Sequence, residues 1–145
     1  MSRALVLDIA PLAALAGESS VAKQSVRAAL TAAVRLRRVV IVPAVVLAEM
    51  YRGRHLNQVV DACLSRETGL TVRDTDRSLA RLVGGVLTAA GKGSAEMVDA
   101  HVVAAAVETG GGVCLTADPG DLIALAAPYA NVHIIDVTSA DGAGS

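Results

Sequence analysis

The sequence predicts an α/β fold built on a central parallel sheet of five strands flanked by helices. Three observations carry this. Short β-branched runs alternate with longer stretches of helical spacing. The strand runs are continuous rather than alternating in apolar residues, with Thr71 and His133 the polar ones, as in strands buried on both faces. Acidic residues follow the first and fourth runs closely, at the strand ends where such sheets bind ligands.

Taken in order, Ala4-Leu5-Val6-Leu7 reads as the first strand, and a short helix is expected after Asp8. Ser19 to Arg38 reads as a helix that Ser19 or Ser20 can cap, with Val26, Leu30, Ala33 and Val34 at helical spacing. Val39 to Val42 is the second strand, ended by Pro43. Ala44 to Arg52 is a helix stopped by Gly53, and Leu56 to Arg66 is another. Leu70-Thr71-Val72 is a short third strand. Thr75 to Ala90 is a helix weakened by Gly84 and Gly85, each costing about 1 kcal/mol against Ala. Ala95 to Thr109 is a helix closed by three glycines. Val113-Cys114-Leu115 is the fourth strand, Pro119 to Ala127 a short helix, and Val132 to Ile135 the fifth strand. The expectation is one domain over residues 1–138 and a small, polar, flexible tail over 139–145.

Composition narrows the function. The hydrophobic fraction is 53%, which excludes disorder. Only Tyr51 and Tyr129 are aromatic, so modules that stack bases on aromatic rings do not fit. Mean hydropathy is +0.52, yet no apolar run reaches the roughly 20 residues a spanning helix needs. Residues 3–17 mimic a signal peptide, but Asp8 lies inside the apolar stretch and Pro11 follows. The chain is therefore expected to be cytoplasmic. Cys63 and Cys114 have no metal-type spacing and read as buried thiols.

The formal net charge is −1, unevenly placed. All 13 Lys and Arg lie within residues 1–92, and residues 93–145 hold only acids. A cation site beside a basic, anion-binding wall would give this pattern, as would ordinary surface composition.

The acids form a constellation. Asp8 and Asp118 follow the first and fourth strands and so share one rim of the sheet. Asp118 is also a good N-cap ahead of Pro119, and capping and ligation can coexist on two oxygens. Asp99 has Val102, Val103 and Ala106 on its helical stripe, where a carboxylate is costly without a partner. Its neighbour three residues back is another acid, Glu96, and no Lys or Arg follows Lys92. Glu49 follows Val45 and Val46 at helical spacing, with Arg52 as an alternative salt-bridge partner. Several inward acids imply a counter-ion, and oxygen-only ligands suit Mg²⁺ or Mn²⁺. His55, His101 and His133 do not cluster and read as structural or surface residues.

These residues carry a family resemblance. The stretches are Leu-Val-Leu-Asp8, Val-Pro43-Ala-Val-Val-Leu-Ala-Glu49, Val-Asp99-Ala-His-Val-Val-Ala-Ala and Leu-Thr116-Ala-Asp118-Pro-Gly-Asp121-Leu. In this order, over residues 4–136, the sequence resembles a PIN-domain ribonuclease, specifically a VapC-type toxin of a bacterial toxin–antitoxin pair. The resemblance implies a three-layer PIN-like fold. It implies Asp8, Glu49, Asp99 and Asp118 as a catalytic, metal-holding quartet, supported by Thr116, Asp121 and Glu96. It implies Mg²⁺- or Mn²⁺-dependent cleavage of an RNA substrate, a homodimer and a cognate antitoxin. Arg52, Arg54, Arg73, Arg77 and Arg81 are candidate RNA-backbone contacts. Ile9, the residue after the first Asp, departs from the hydroxyl-bearing or small residue many relatives carry there.

Other Asp-lined parallel sheets fit less well. A receiver domain needs a Lys after a late strand, and none is present. A dehalogenase-type phosphatase needs an acid two residues after Asp8, where Ala10 stands. The remaining rival is a degenerate PIN module that binds RNA or protein without catalysis.

Overall fold

The computed structural model describes residues 3–138, so the expected tail over 139–145 lies outside the described residues. Five strands form one sheet: β1 (Ala4–Leu7), β2 (Val39–Pro43), β3 (Leu70–Arg73), β4 (Gly112–Thr116) and β5 (Val132–Asp136). All neighbouring pairs are parallel, in the order β3-β2-β1-β4-β5. The helices are α1 (Ile9–Ala16), α2 (Val21–Arg35), α3 (Ala44–Met50), α4 (Arg54–Arg66), α5 (Arg77–Ala90), α6 (Met97–Glu108) and α7 (Pro119–Ala126). A 3₁₀ turn, Ser94–Glu96, leads into α6. Among the described residues, no helix is long and apolar enough to cross a membrane.

The expected elements are present, with shifted ends. Ser20, not Ser19, caps α2: its side chain accepts from the Lys23 amide at 3.1 Å. α2 stops at Arg35, three residues short of the expected end. Arg37 turns into the left-handed region, φ 55°, and the Arg38 amide donates back to the Ala33 carbonyl at 2.8 Å. This is a Schellman ending, usually built on Gly. An Arg in that place hides the stop signal from a reading that looks for glycine. α4 starts at Arg54 rather than Leu56, because Gly53 at φ 99° makes the turn one residue before it.

The strand order places the core and the site. β1 and β4 lie at the centre of the sheet, and β1 is buried along its whole length. α6 packs over that centre, touching β1, β2 and β4, with α5 and α7 on its flanks. Ala100 to Ala106 are buried without a break, so α6 is wrapped on all sides rather than along one stripe. The corner into β4 is tight: a Cβ on Gly112 would meet the Ala4 carbonyl oxygen at 2.3 Å. Only glycine lets β4 come close enough to pair Gly112 with Ala4 and, at the other end, Leu115 with Leu7.

Candidate active site

The connections turn one way from β1 towards β2 and β3, and the other way from β4 to β5. The order reverses between β1 and β4. Open parallel sheets bind ligands at such a reversal, outside the carboxyl ends of the strands. Asp8 stands just past the end of β1 and Thr116 is the last residue of β4.

The Leu7–Leu115 register brings these two residues together. The Asp8 amide donates to the Leu115 carbonyl at 3.0 Å, continuing the ladder by one bond. The Thr116 hydroxyl donates to Asp8 Oδ2 at 2.8 Å and accepts from the Asp118 amide at 3.1 Å. Thr116 is fully buried and Asp8 nearly so. One hydroxyl thus fixes the rotamer of Asp8 and the start of the Asp118 turn. The other Asp8 oxygen, Oδ1, is buried with no hydrogen-bond partner. A carboxylate oxygen left bare in a protein interior is costly unless a ligand completes it.

Asp8 and Asp118 both sit at helix N-cap positions, ahead of α1 and α7, and neither side chain makes a capping bond. The alternative reading of Asp118 as a plain cap is not what the structure shows.

Asp99 lies in the first turn of α6, partly buried. Its carboxyl is pushed up to about 6, by burial first and then by the charges of Asp8, Asp121, Asp118 and Glu96. Those five acids therefore share one electrostatic site. Glu49 stands apart from it. It is exposed near the end of α3 and paired with Arg52 at 3.5 Å, the salt bridge that its spacing allowed. Asp121, expected only in a supporting role, is among the charges acting on Asp99.

No side chain here suits nucleophilic chemistry. Cys114 is buried and its thiol is pushed up to about 12, by burial and then by Asp8, which keeps it protonated. His101 is buried and its Nδ1 lies 2.7 Å from the Met97 carbonyl oxygen, a structural bond. The site offers carboxylate oxygens, one of them unpartnered, a donor set that suits a hard divalent cation. Among the described residues, no three His, Cys, Asp or Glu side chains converge closely enough to cage an ion. Mg²⁺ needs no such cage, since it keeps several waters and takes one or two carboxylates.

The five candidate arginines divide. Arg73 grips Glu108 with two bonds, at 2.6 and 3.1 Å, and also reaches Asp76. It staples the edge strand β3 to the end of α6. Arg52 is held by Glu49 and by the Ala48 and Tyr51 carbonyls. Arg54, Arg77 and Arg81 are exposed, and none makes an ion pair among the described residues.

No family model matches the sequence, and no curated protein matches it. Two solved structures are similar in three dimensions. One is VapBC2 from Rickettsia felis bound to a DNA fragment from their promoter: 14% identity, TM-score 0.61, covering 91% of this chain and 97% of that chain. The other is FitAcB from Neisseria gonorrhoeae, at 16% identity and TM-score 0.61, covering 92% of this chain and 97% of that chain. At these identities the shared property is the fold. Strand order, helix layers and nearly end-to-end matches agree: the chain has the PIN-like α/β fold that its sequence motifs imply.

Proposed function

We propose that this chain is a metal-dependent endoribonuclease, the toxin of a type II toxin–antitoxin pair, acting in the cytoplasm as a homodimer. The observation that carries the reading is Asp8: buried at the reversal of strand order, one oxygen held by Thr116 and the other bare. The raised carboxyl of Asp99 supports it, because burial and neighbouring acids disfavour its charge until a cation offsets them. The motif resemblance supplies the toxin assignment, and the fold shared with VapBC2 and FitAcB supports an antitoxin partner.

Asp8 and Asp99 would hold the ion, with Asp118 and Asp121 close by and Glu49 reaching it only after releasing Arg52. A bound Mg²⁺ or Mn²⁺ supplies an activated water and neutralises charge on the scissile phosphate. The protein's own part is positioning. Thr116 locks Asp8, the wrapped α6 fixes the base of Asp99, and exposed Arg54 and Arg77 offer cationic contacts for an RNA strand.

Glu49 held by Arg52 is also what a non-catalytic binding module would show. One experiment separates the two. Incubate purified protein with labelled single-stranded RNA and Mn²⁺, with and without excess EDTA, beside Asp8→Asn. The nuclease reading expects cleavage that EDTA abolishes and that Asp8→Asn lowers by at least about a hundredfold. Cleavage unchanged in chelator would remove the metal. Equal Mn²⁺ affinity in wild type and Asp99→Asn, with no cleavage in either, would leave the binding module.

A further inference from the structure

We propose that the carboxyl end of α2 and the start of β2 form a docking surface for an acidic amphipathic helix of another protein. This surface lies at the amino-terminal rim of the sheet, opposite the acids, so the inference does not rest on the cleavage reading.

Six consecutive residues build it: Val34, Arg35, Leu36, Arg37, Arg38 and Val39. Val34 is 73% exposed, Leu36 60% and Val39 43%. Single exposed apolar residues are ordinary; three within six positions concentrate apolar surface at this end of α2. A shallow depression of about 520 Å³ lies against it, lined by Ala28, Thr31, Ala32, Arg35 and Leu36. A second, of about 280 Å³, includes Val34 and Arg38 in its wall. The surface thus has protruding side chains with hollows beside them, the relief that an apolar helix stripe fills.

Charge selects the partner. Residues 21–40 contain five basic residues and no acid. Arg27 is paired with Glu67, but Arg35, Arg37 and Arg38 make no ion pair with any described residue. One Arg in the last turn of α2 would suit the helix dipole. That effect explains neither two more arginines beyond the helix nor the apolar side chains between them. Arg37 holds a left-handed backbone position where glycine would be less strained, so a charged side chain stands there against local preference. Three unpaired guanidiniums around an apolar patch complement an acidic amphipathic helix. RNA fits less well, because nothing aromatic lies in the patch for bases to stack on.

The probe is a labelled synthetic peptide of about 16 residues, Leu at helical spacing and Glu elsewhere, against a scrambled peptide of the same composition. Binding to the full chain is read by fluorescence anisotropy in EDTA. The patterned peptide should bind at least about tenfold more tightly than the scrambled one. Val34→Ser with Leu36→Ser should remove that preference. Arg37→Gly should raise the melting temperature while weakening the peptide, which separates binding from folding. The proposal is overturned by equal binding of both peptides, or by full affinity in the double serine variant. It is likewise overturned if the patch arginines prove to hold oligoadenylate RNA and not the peptide. A dimer that dissociates in the double serine variant would assign the surface to a second copy instead.

Discussion

Helix α6 buries seven consecutive residues, Ala100 to Ala106, whereas α2 buries only Val26 and Ala33 of its 15. Each carries residues that its surroundings disfavour. α6 begins with an acid, Asp99, at the edge of the core, and α2 ends with Val34 and Leu36 in water. Packing explains neither. A half-buried carboxylate and an exposed apolar patch are informative for the same reason: each is a place where a ligand would complete contacts that the chain alone does not make. The contrast also separates two roles. The carboxyl rim of the sheet offers oxygen atoms, and the amino rim offers guanidiniums and apolar side chains.

The comparison can be broken at its packing. Val102→Ala in α6 should destabilise the protein by about 2 kcal/mol, since the residue is fully buried. Val34→Ala in α2 should change stability by less than about 0.5 kcal/mol. Urea denaturation of the two variants checks this, and equal losses would mean that α2 is packed against something in solution.

A smaller effect is expected at the acid itself. The folded-state carboxyl of Asp99 lies at about 6, above its ordinary value of 3.8. Its protonation therefore favours the folded state, and that contribution is full at low pH and lost as pH rises from about 4 through about 6. Asp99→Asn should then be more stable than wild type without metal at pH 7, by about 1–2 kcal/mol after discounting for partial exposure. The gap should close below about pH 4. Thermal melts across pH in EDTA test this, and a variant less stable at pH 7 would make Asp99 structural.

The smallest effect concerns RNA. In the cleavage-dead Asp8→Asn background, log affinity for single-stranded RNA should fall with log salt by about 0.7 per phosphate neutralised. Arg54→Ala with Arg77→Ala should flatten that slope by about 1.4 in total, while Arg73→Ala should lower stability more than it changes the slope. Anisotropy over a salt series measures both. An unchanged slope in the double variant would place the backbone contacts elsewhere.

How much of this was legible in the sequence follows from which contacts are local. Strand composition and helical spacing are local, and all five strands could be read from them, as could the places of Asp8 and Asp118 at the strand ends and of Asp99 on α6. The Glu49–Arg52 pair is local too, three residues apart, and it stood beside the quartet reading as an alternative. The reversal of strand order is not local. Neither is the Thr116–Asp8 bond, which joins residues 108 apart, nor the gathering of Asp121 towards Asp99. Those depend on which parallel strands pair, which no short window encodes. Helical spacing puts Asp99 on one apolar stripe with Val102, Val103 and Ala106, whereas α6 is buried all round because α5 and α7 flank it. Spacing carries α2 to Arg38, whereas it ends at Arg35, because an Arg at position 37 does the work usually given to glycine.

The Thr116–Asp8 bond has a consequence in time. Asp8 is translated 108 residues ahead of Thr116, whose hydroxyl sets its rotamer. β1 cannot pair with β4 until more than a hundred further residues have been made. A nascent chain that has produced only β1 to β3 therefore holds an acid without its lock, and Asp118 has not yet been added. Under the nuclease reading, the growing chain is harmless to the RNA around it until β4 has been made. Activity would switch on only when the centre of the sheet closes.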